Sequence, residues 1–302
     1  MCHDASGERG ARYAADVVSL HRNLSFSALL SQVDPRHLIH VAERGDGLLT
    51  VALQTQHLPH RYLVGLQGFR LAQYLQLGWI CEDVMYSSAI FCEPVDAVHP
   101  QDVHVMTMSG SGAILGYLAL AGPAEGDPAD LLDPDRGRFP VEQAHNINLF
   151  DHVAGQPGVR TDQVRELKRF VHARTVSDRT QRLRITLELL FGMGQVLARI
   201  TPAVRTLVGD VEENVALRHL LLAGLDVKLI EGTTPRLTEQ DLLRHAYVQR
   251  SSVKPFVAHL PSEEEVQQRI SMLESTLDSP DLFDATGRMS RSQRGILTRV
   301  SG

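Results

Sequence analysis

Two short apolar runs, DVHVMTMSG at 102–110 and AILGYLALAG at 113–122, flank a Gly/Ser turn, and this constrains the fold more than any other stretch. Both are rich in β-branched and apolar residues. The SGSGA between them offers ample capacity for positive φ, so the segment reads as two strands joined by a hairpin. A chain carrying such a hairpin needs further elements to cover it. GLLTVALQTQ (47–56), opened by an Asp46-Gly47 turn, and SSAIFCEPV (87–95) read as additional strands. From Arg61 to Leu77 apolar residues recur at helical spacing, and Gly78 ends that helix. SFSALLSQV (25–33) reads as a short amphipathic helix, and residues 1–23 as a weakly ordered arm.

After an acidic, Pro/Gly-rich surface loop at 123–138, the second half alternates. RELKRFVHAR (165–174) is strand-like, and 177–200 is a helix capped by Ser177 or Asp178. A strand at 203–211, a helix at 213–224 ending at Gly224, and a strand at 226–232 follow. Ser262 to Glu265 is a capping box opening one more helix, and the tail after Ser279 is polar and loosely held. The expected architecture is α/β: a single domain over 24–260 built on a mixed, mostly antiparallel sheet of about seven strands flanked by helices, with 261–302 as a C-terminal helix and tail.

Bulk properties exclude several function classes. A net charge of −6 over 302 residues gives no basis for nucleic-acid binding. No apolar run reaches membrane-spanning length, and the first residues lack the apolar core of a signal peptide. Three cysteines, Cys2, Cys81 and Cys92, do not make a disulfide framework and point to a reducing cytoplasm. The pairs His37/His40 and His57/His60 lack helical i, i+4 spacing and a nearby Glu, so no metal is expected. SGSG at 109–112 lacks the strand-turn-helix setting of a hydrolase nucleophile.

The order of motifs resembles the GNAT acyltransferase fold, and within it the branch of acyl-homoserine lactone (autoinducer) synthases and long-chain N-acyl amino acid synthases. Arg70, Tyr74 and Trp79 in FRLAQYLQLGW match an early helix of that branch, and Glu166, Leu167, Arg169 and Phe170 its acid-apolar-x-Arg-Phe strand. Leu220 and Gly224 match the late helix, and RFPVEQ a landing segment ahead of the central strand. The resemblance implies transfer of an acyl group from a thioester, acyl-CoA or a phosphopantetheinyl acyl carrier protein, to the amine of an amino acid or related small metabolite. No permanently bound cofactor is implied. Two departures stand out. The acidic cluster of the lactone synthases has only Glu93, Asp96 and Asp102 at altered spacing, which bears on use of S-adenosylmethionine. The Gly-rich diphosphate loop of the wider fold is replaced by RTQRLR, with Arg179, Arg182 and Arg184 as donor-binding candidates for a phosphate or an acidic carrier surface. A non-catalytic ligand- or partner-binding protein, and different chemistry on S-adenosylmethionine, are the rival readings.

Such transfer requires a base for the amine proton, donors for the tetrahedral oxyanion, an apolar channel and a cation for a carboxylate. Glu166 is the candidate base, because burial on a central strand raises a carboxyl pKa. Arg169 and Arg70 are carboxylate clamps, with Trp79, Glu93 and Asp96 as further substrate-binding candidates. Backbone N–H groups beside GYLAL are the expected oxyanion donors. One conflict is built in. In a regular strand Glu166 and Arg169 point to opposite faces, so both reach one site only through a bulge or a splay.

Overall fold

The structure, a computed structural model, describes residues 4–95, 98–122, 126–213, 216–238, 241–244, 247, 253–292 and 295–302. Helix α1 (Asp4–Arg22) is followed by β1 (Leu38–Glu43), β2 (Leu49–Gln54), α2 (His60–Gln76) and α3 (Glu82–Ser87). The hairpin of β3 (Val103–Met108) and β4 (Ile114–Ala121) leads to two short helices, α4 (Pro140–His145) and α5 (Leu149–His152). Then come β5 (Val164–His172), α6 (Arg179–Arg199), β6 (Thr206–Glu212), α7 (Ala216–Leu222), β7 (Asp226–Glu231) and β8 (Val253–His259). Helices α8 (Glu263–Leu277) and α9 (Leu282–Ser292) and strand β9 (Leu297–Ser301) complete the described elements.

Among the described residues one nine-stranded sheet has the order β1-β2-β3-β4-β5-β6-β8-β7-β9. Its pairs are antiparallel except β5 with β6 and β7 with β9. Alternation along the strands sorts their side chains between two cores. Leu207 and Val211 of β6 and Phe256 and Ala258 of β8 join the main cluster, whereas Val208 and Val257 join a second one with Phe139, Val141, Leu149 and Phe150. Helix α6 lies across β1 to β4, and α2 packs near β5, with α1 against α2 and α3 against α1. None of the described helices is long and apolar enough to cross a membrane.

Several expectations from the sequence give way to tertiary packing. Residues 4–22 form a helix rather than a loose arm, because Ala14 and Val17 bury against Leu71, Leu75 and Met85. Segment 87–95 is not a strand: Ser88 caps α3 and Ala89 takes a left-handed φ of 51°, which breaks extension. Segment 25–33 is turns, with Phe26 and Leu29 as buried plugs and the Phe26 N–H bonded to the Gly112 carbonyl at 2.8 Å. The tail is not loose, since α9 buries Leu282, Ala285 and Met289 and β9 adds an edge strand beside β7. Strands β1, β8 and β9 went unread. In β8, Pro255 argues against a strand, yet it lies just past the last β7 pair, Leu229 with Phe256, where the missing N–H breaks no β7–β8 bond.

The parallel ladder of β5 and β6 determines where the site falls. It pairs Val164, Arg165 and Glu166 with Thr206, Leu207 and Val208 and then stops. Gly209, the next residue, has φ 149°, and a Cβ there would lie 2.6 Å from the Leu167 carbonyl oxygen. Gly209→Ala is therefore expected to destabilise the protein by about 2 kcal/mol through overpacking at the point where the strands part. Urea unfolding checks it: a midpoint that does not fall would contradict the close approach.

Candidate active site

Past Glu166 the two strands diverge, and a second irregularity sits on the other side of β5. Between the pairs Ala119 with Lys168 and Tyr117 with Val171, two residues of β5, Arg169 and Phe170, face the single Leu118 of β4. This is a β-bulge, and Arg169 occupies it with a left-handed φ of 68°. Splay and bulge together resolve the conflict in the sequence: Glu166 and Arg169 both line one cavity of about 530 Å³. A left-handed arginine carries backbone strain, which proteins keep where the surrounding structure holds it in place.

Glu166 is 4% exposed, and its Oε2 accepts a hydrogen bond from the Val141 N–H at 3.0 Å. Lys168 Nζ lies 3.5 Å from its Oε1. Burial pushes the Glu166 carboxyl above its ordinary value; Lys168 and the Val141 N–H oppose that, and the nearby Asp210 carboxylate adds to it. The result is a desolvated carboxyl group beside an ammonium, on the lining of a cavity. Val141 is aimed there by Glu142, which is fully buried. Its Oε2 accepts from the Phe139 N–H at 2.9 Å and from Arg136 Nη1 at 2.8 Å. Its Oε1 accepts from the Leu149 N–H at 2.9 Å and from Arg136 Nη2 at 2.6 Å. The Arg136 guanidinium lies over the rings of Phe139 and Phe150, 5.4 and 5.2 Å from their centroids. Sequence reasoning passed over this post. Its signal was Pro140 at the first helical position with Glu142 two residues on, a helix-start signature inside RFPVEQ.

Arg70 and Trp79 also line the cavity. Arg70 is buried and committed to an ion pair with Glu93, and it lies 5.3 Å from the Tyr74 ring centroid. Burial pushes the Glu93 carboxyl up and the Arg70 guanidinium opposes it. Glu93 thus reaches the site only through Arg70, whereas Arg169 has no ion pair among the described residues and its buried Nε has no partner. Asp96 lies outside the described residues.

The structure does not bring Arg179, Arg182 or Arg184 to this cavity. Arg179 lies over the Phe283 ring at 5.4 Å, Arg182 Nε donates to the Val176 carbonyl at 2.6 Å, and Arg184 pairs with Asp46 and donates to the Leu277 carbonyl. The start of α6 is capped by Asp178, whose carboxylate accepts from the Gln181 N–H at 2.6 Å. An anionic cap at this turn works against binding a diphosphate there.

The opposite wall of the cavity was not legible in the sequence. Asp210 of β6 follows Gly209, and His145 Nε2 donates to its Oδ1 at 2.8 Å. Tyr247 donates its hydroxyl to Oδ2 at 2.7 Å. Burial, then the Asp210 carboxylate, push the Tyr247 hydroxyl well above its ordinary value, so it stays a donor. Leu167, Phe170, Val171, Val211, Leu220 and Phe256 supply apolar walls.

A mixed, mostly antiparallel sheet flanked by helices, with a parallel pair parted at its middle, is a GNAT-like fold. No protein-family model and no curated protein matches the chain. Among solved structures it is similar to TofI, crystallised in a ternary complex with an inhibitor and MTA, at 17% identity over 74% of this chain and 96% of that one, with a TM-score of 0.45. It is also similar to BjaI, a CoA-dependent acyl-homoserine lactone synthase solved with SAM and isopentyl-CoA, at 16% identity over 80% and 97% of the two chains and a TM-score of 0.42. A third similar structure is the GNAT family N-acetyltransferase YhbS from Escherichia coli in complex with CoA, at 9% identity over 87% and 93% and a TM-score of 0.31. Identities this low leave every residue's role to be argued from the cavity of this chain.

Proposed function

We propose that this chain is an acyltransferase that moves an acyl group from a thioester to the amine of an amino acid or related small metabolite. The observation that carries the reading is Glu166: a buried carboxylate of raised pKa at the parting of two parallel strands, on the wall of a cavity that also holds Arg169, which has no ion pair among the described residues. Its role is to take a proton from the acceptor's ammonium group, so that the neutral nitrogen can attack the thioester carbonyl. The N–C bond forms, the C–S bond breaks, and the departing thiolate ends as a free thiol. The bulge opposite Leu118 leaves ladder groups unpaired on β5, and their N–H groups are the candidates for the oxyanion. Arg169 is the partner for an acceptor carboxylate, and the apolar walls take the acyl chain.

The donor is acyl-CoA or a carrier-protein thioester, and the capped start of α6 favours a donor held by its acyl chain and pantetheine arm rather than by a diphosphate. The same observation supports a second reading, a ligand-binding protein without turnover. Incubating the purified protein with acyl-CoA or acyl-carrier thioesters and a panel of amino acids separates the two. Acceptor-dependent release of thiol is the expected result. Ligand-induced thermal stabilisation with no thiol across the panel would replace the enzyme with the binder.

A further inference from the structure

We infer that Asp210, held by His145 and Tyr247, forms the subsite for the acceptor's ammonium group. Only the chemistry after binding rests on the acyl-transfer reading; binding itself does not. The carboxylate stands on β6, two residues past the last ladder pair with β5, and lines the same cavity as Glu166 on β5. Each of its oxygens accepts one hydrogen bond, from His145 Nε2 at 2.8 Å and from Tyr247 at 2.7 Å, and this fixes its orientation. A carboxylate accepts about four bonds, so about two lone-pair sites are left for a ligand's N–H groups. His145 is itself 3% exposed and backs the carboxylate without lining the cavity.

Charge balance points the same way. Around the cavity Lys168 pairs with Glu166 and Arg70 with Glu93, and Glu212, Arg236 and Asp241 also contribute to its lining. Among the described residues Asp210 meets no lysine or arginine, and Arg169 meets no carboxylate. Beyond the imidazole of His145, Asp210 is free to meet a ligand's cation, and a ligand that engages both it and Arg169 carries a cation and an anion, which is the chemistry of a free amino acid. Asp210 binds the ammonium and Arg169 the carboxylate. One ammonium proton then passes to Glu166 and on to solvent. The neutral nitrogen attacks the thioester carbon, and a second nitrogen proton follows the departing thiolate to give the thiol.

Calorimetric titration with matched probes tests this without any turnover. Phenylalanine, 3-phenylpropanoate and phenethylamine form one set, and leucine, 4-methylpentanoate and isopentylamine another. In the wild type at least one amino acid is expected to bind about tenfold or more tightly than its deamino acid, the scale of a charged hydrogen bond. Asp210→Asn is expected to erase that preference while leaving the deamino acid's affinity within about twofold of wild type, since only the ammonium partner is lost. Tyr247→Phe, which keeps the carboxylate but loosens it, should retain a reduced preference, and it guards against misfolding of the first variant. Arg169→Gly, suited to the left-handed backbone, should instead erase the preference of the amino acid over its decarboxylated amine. An Asp210→Asn protein that keeps the preference, or that weakens all three probes alike, overturns the subsite. So does a wild type that binds no amino acid better than its deamino acid. Failure of thiol release with the binding ratios intact would remove the acyl-transfer reading and leave the subsite standing.

Discussion

Replacing Glu166 with glutamine is expected to lower thiol-releasing turnover by about 10²- to 10⁴-fold, the usual contribution of a positioned general base. Glutamine keeps the shape and can still accept from the Val141 N–H, so the loss falls on proton removal. The pH profile carries a second signature. Burial holds the carboxyl above its ordinary value, so kcat/KM should rise with pH through that raised value in the wild type, and Glu166→Gln should lose this rise. Stability moves in the opposite sense. An acid whose folded pKa is raised favours the protonated folded form, so its contribution is full below the ordinary carboxylate value and is lost as pH climbs through the raised one. Above that raised value the ionised Glu166 is therefore a liability, and there the glutamine variant should unfold at equal or higher urea concentration than the wild type. A variant that turns over normally would remove Glu166 from the chemistry. One that is inactive and also markedly less stable would make its role structural.

The largest effect on stability is expected at Glu142. Glu142→Ala leaves the Arg136 guanidinium buried with no carboxylate, and two backbone N–H groups lose their acceptor. Breaking a buried pair from one side costs roughly 3–5 kcal/mol. Because Glu142 holds the turn that aims the Val141 N–H at Glu166, a folded remnant should also show slower turnover and a shifted pH profile. The paired replacement Arg136→Met with Glu142→Met should cost less than Glu142→Ala alone, since no charge is then stranded. Urea unfolding of both variants checks this, and a single-variant cost below about 1 kcal/mol would mean that solvent or another group compensates Arg136.

Where local pattern and burial agree, the sequence was legible. The β3–β4 hairpin, α2, α6, β7 and the capped start of α8 all follow from turn chemistry, helical spacing or a capping box, signals that act within a few residues. Strand β9 escaped because it is a polar edge whose order comes from pairing with β7, and α1 because its stability comes from Leu71, Leu75 and Met85. Segment 87–95 misled because apolar composition does not by itself fix extension: Ala89 and the cap at Ser88 turn the chain, and Phe91 stays exposed.

The candidate site divides along the same line. The sequence by itself placed an acid and an arginine three apart on a central strand, and it set Arg70 on a helix and Trp79 just past that helix's end, both of which come to the same cavity. It also showed that a regular strand would keep Glu166 and Arg169 apart. Only the tertiary structure decided that a bulge at a left-handed Arg169 and the parting of β5 from β6 bring them to one cavity. It alone joined Asp210 to His145 and Tyr247, side chains 65 and 37 positions away along the chain. Side-chain period within a strand is a local property and can be counted from residue to residue. The meeting of two strands, and the point at which they separate, depends on what packs between them, and no single stretch of sequence contains that.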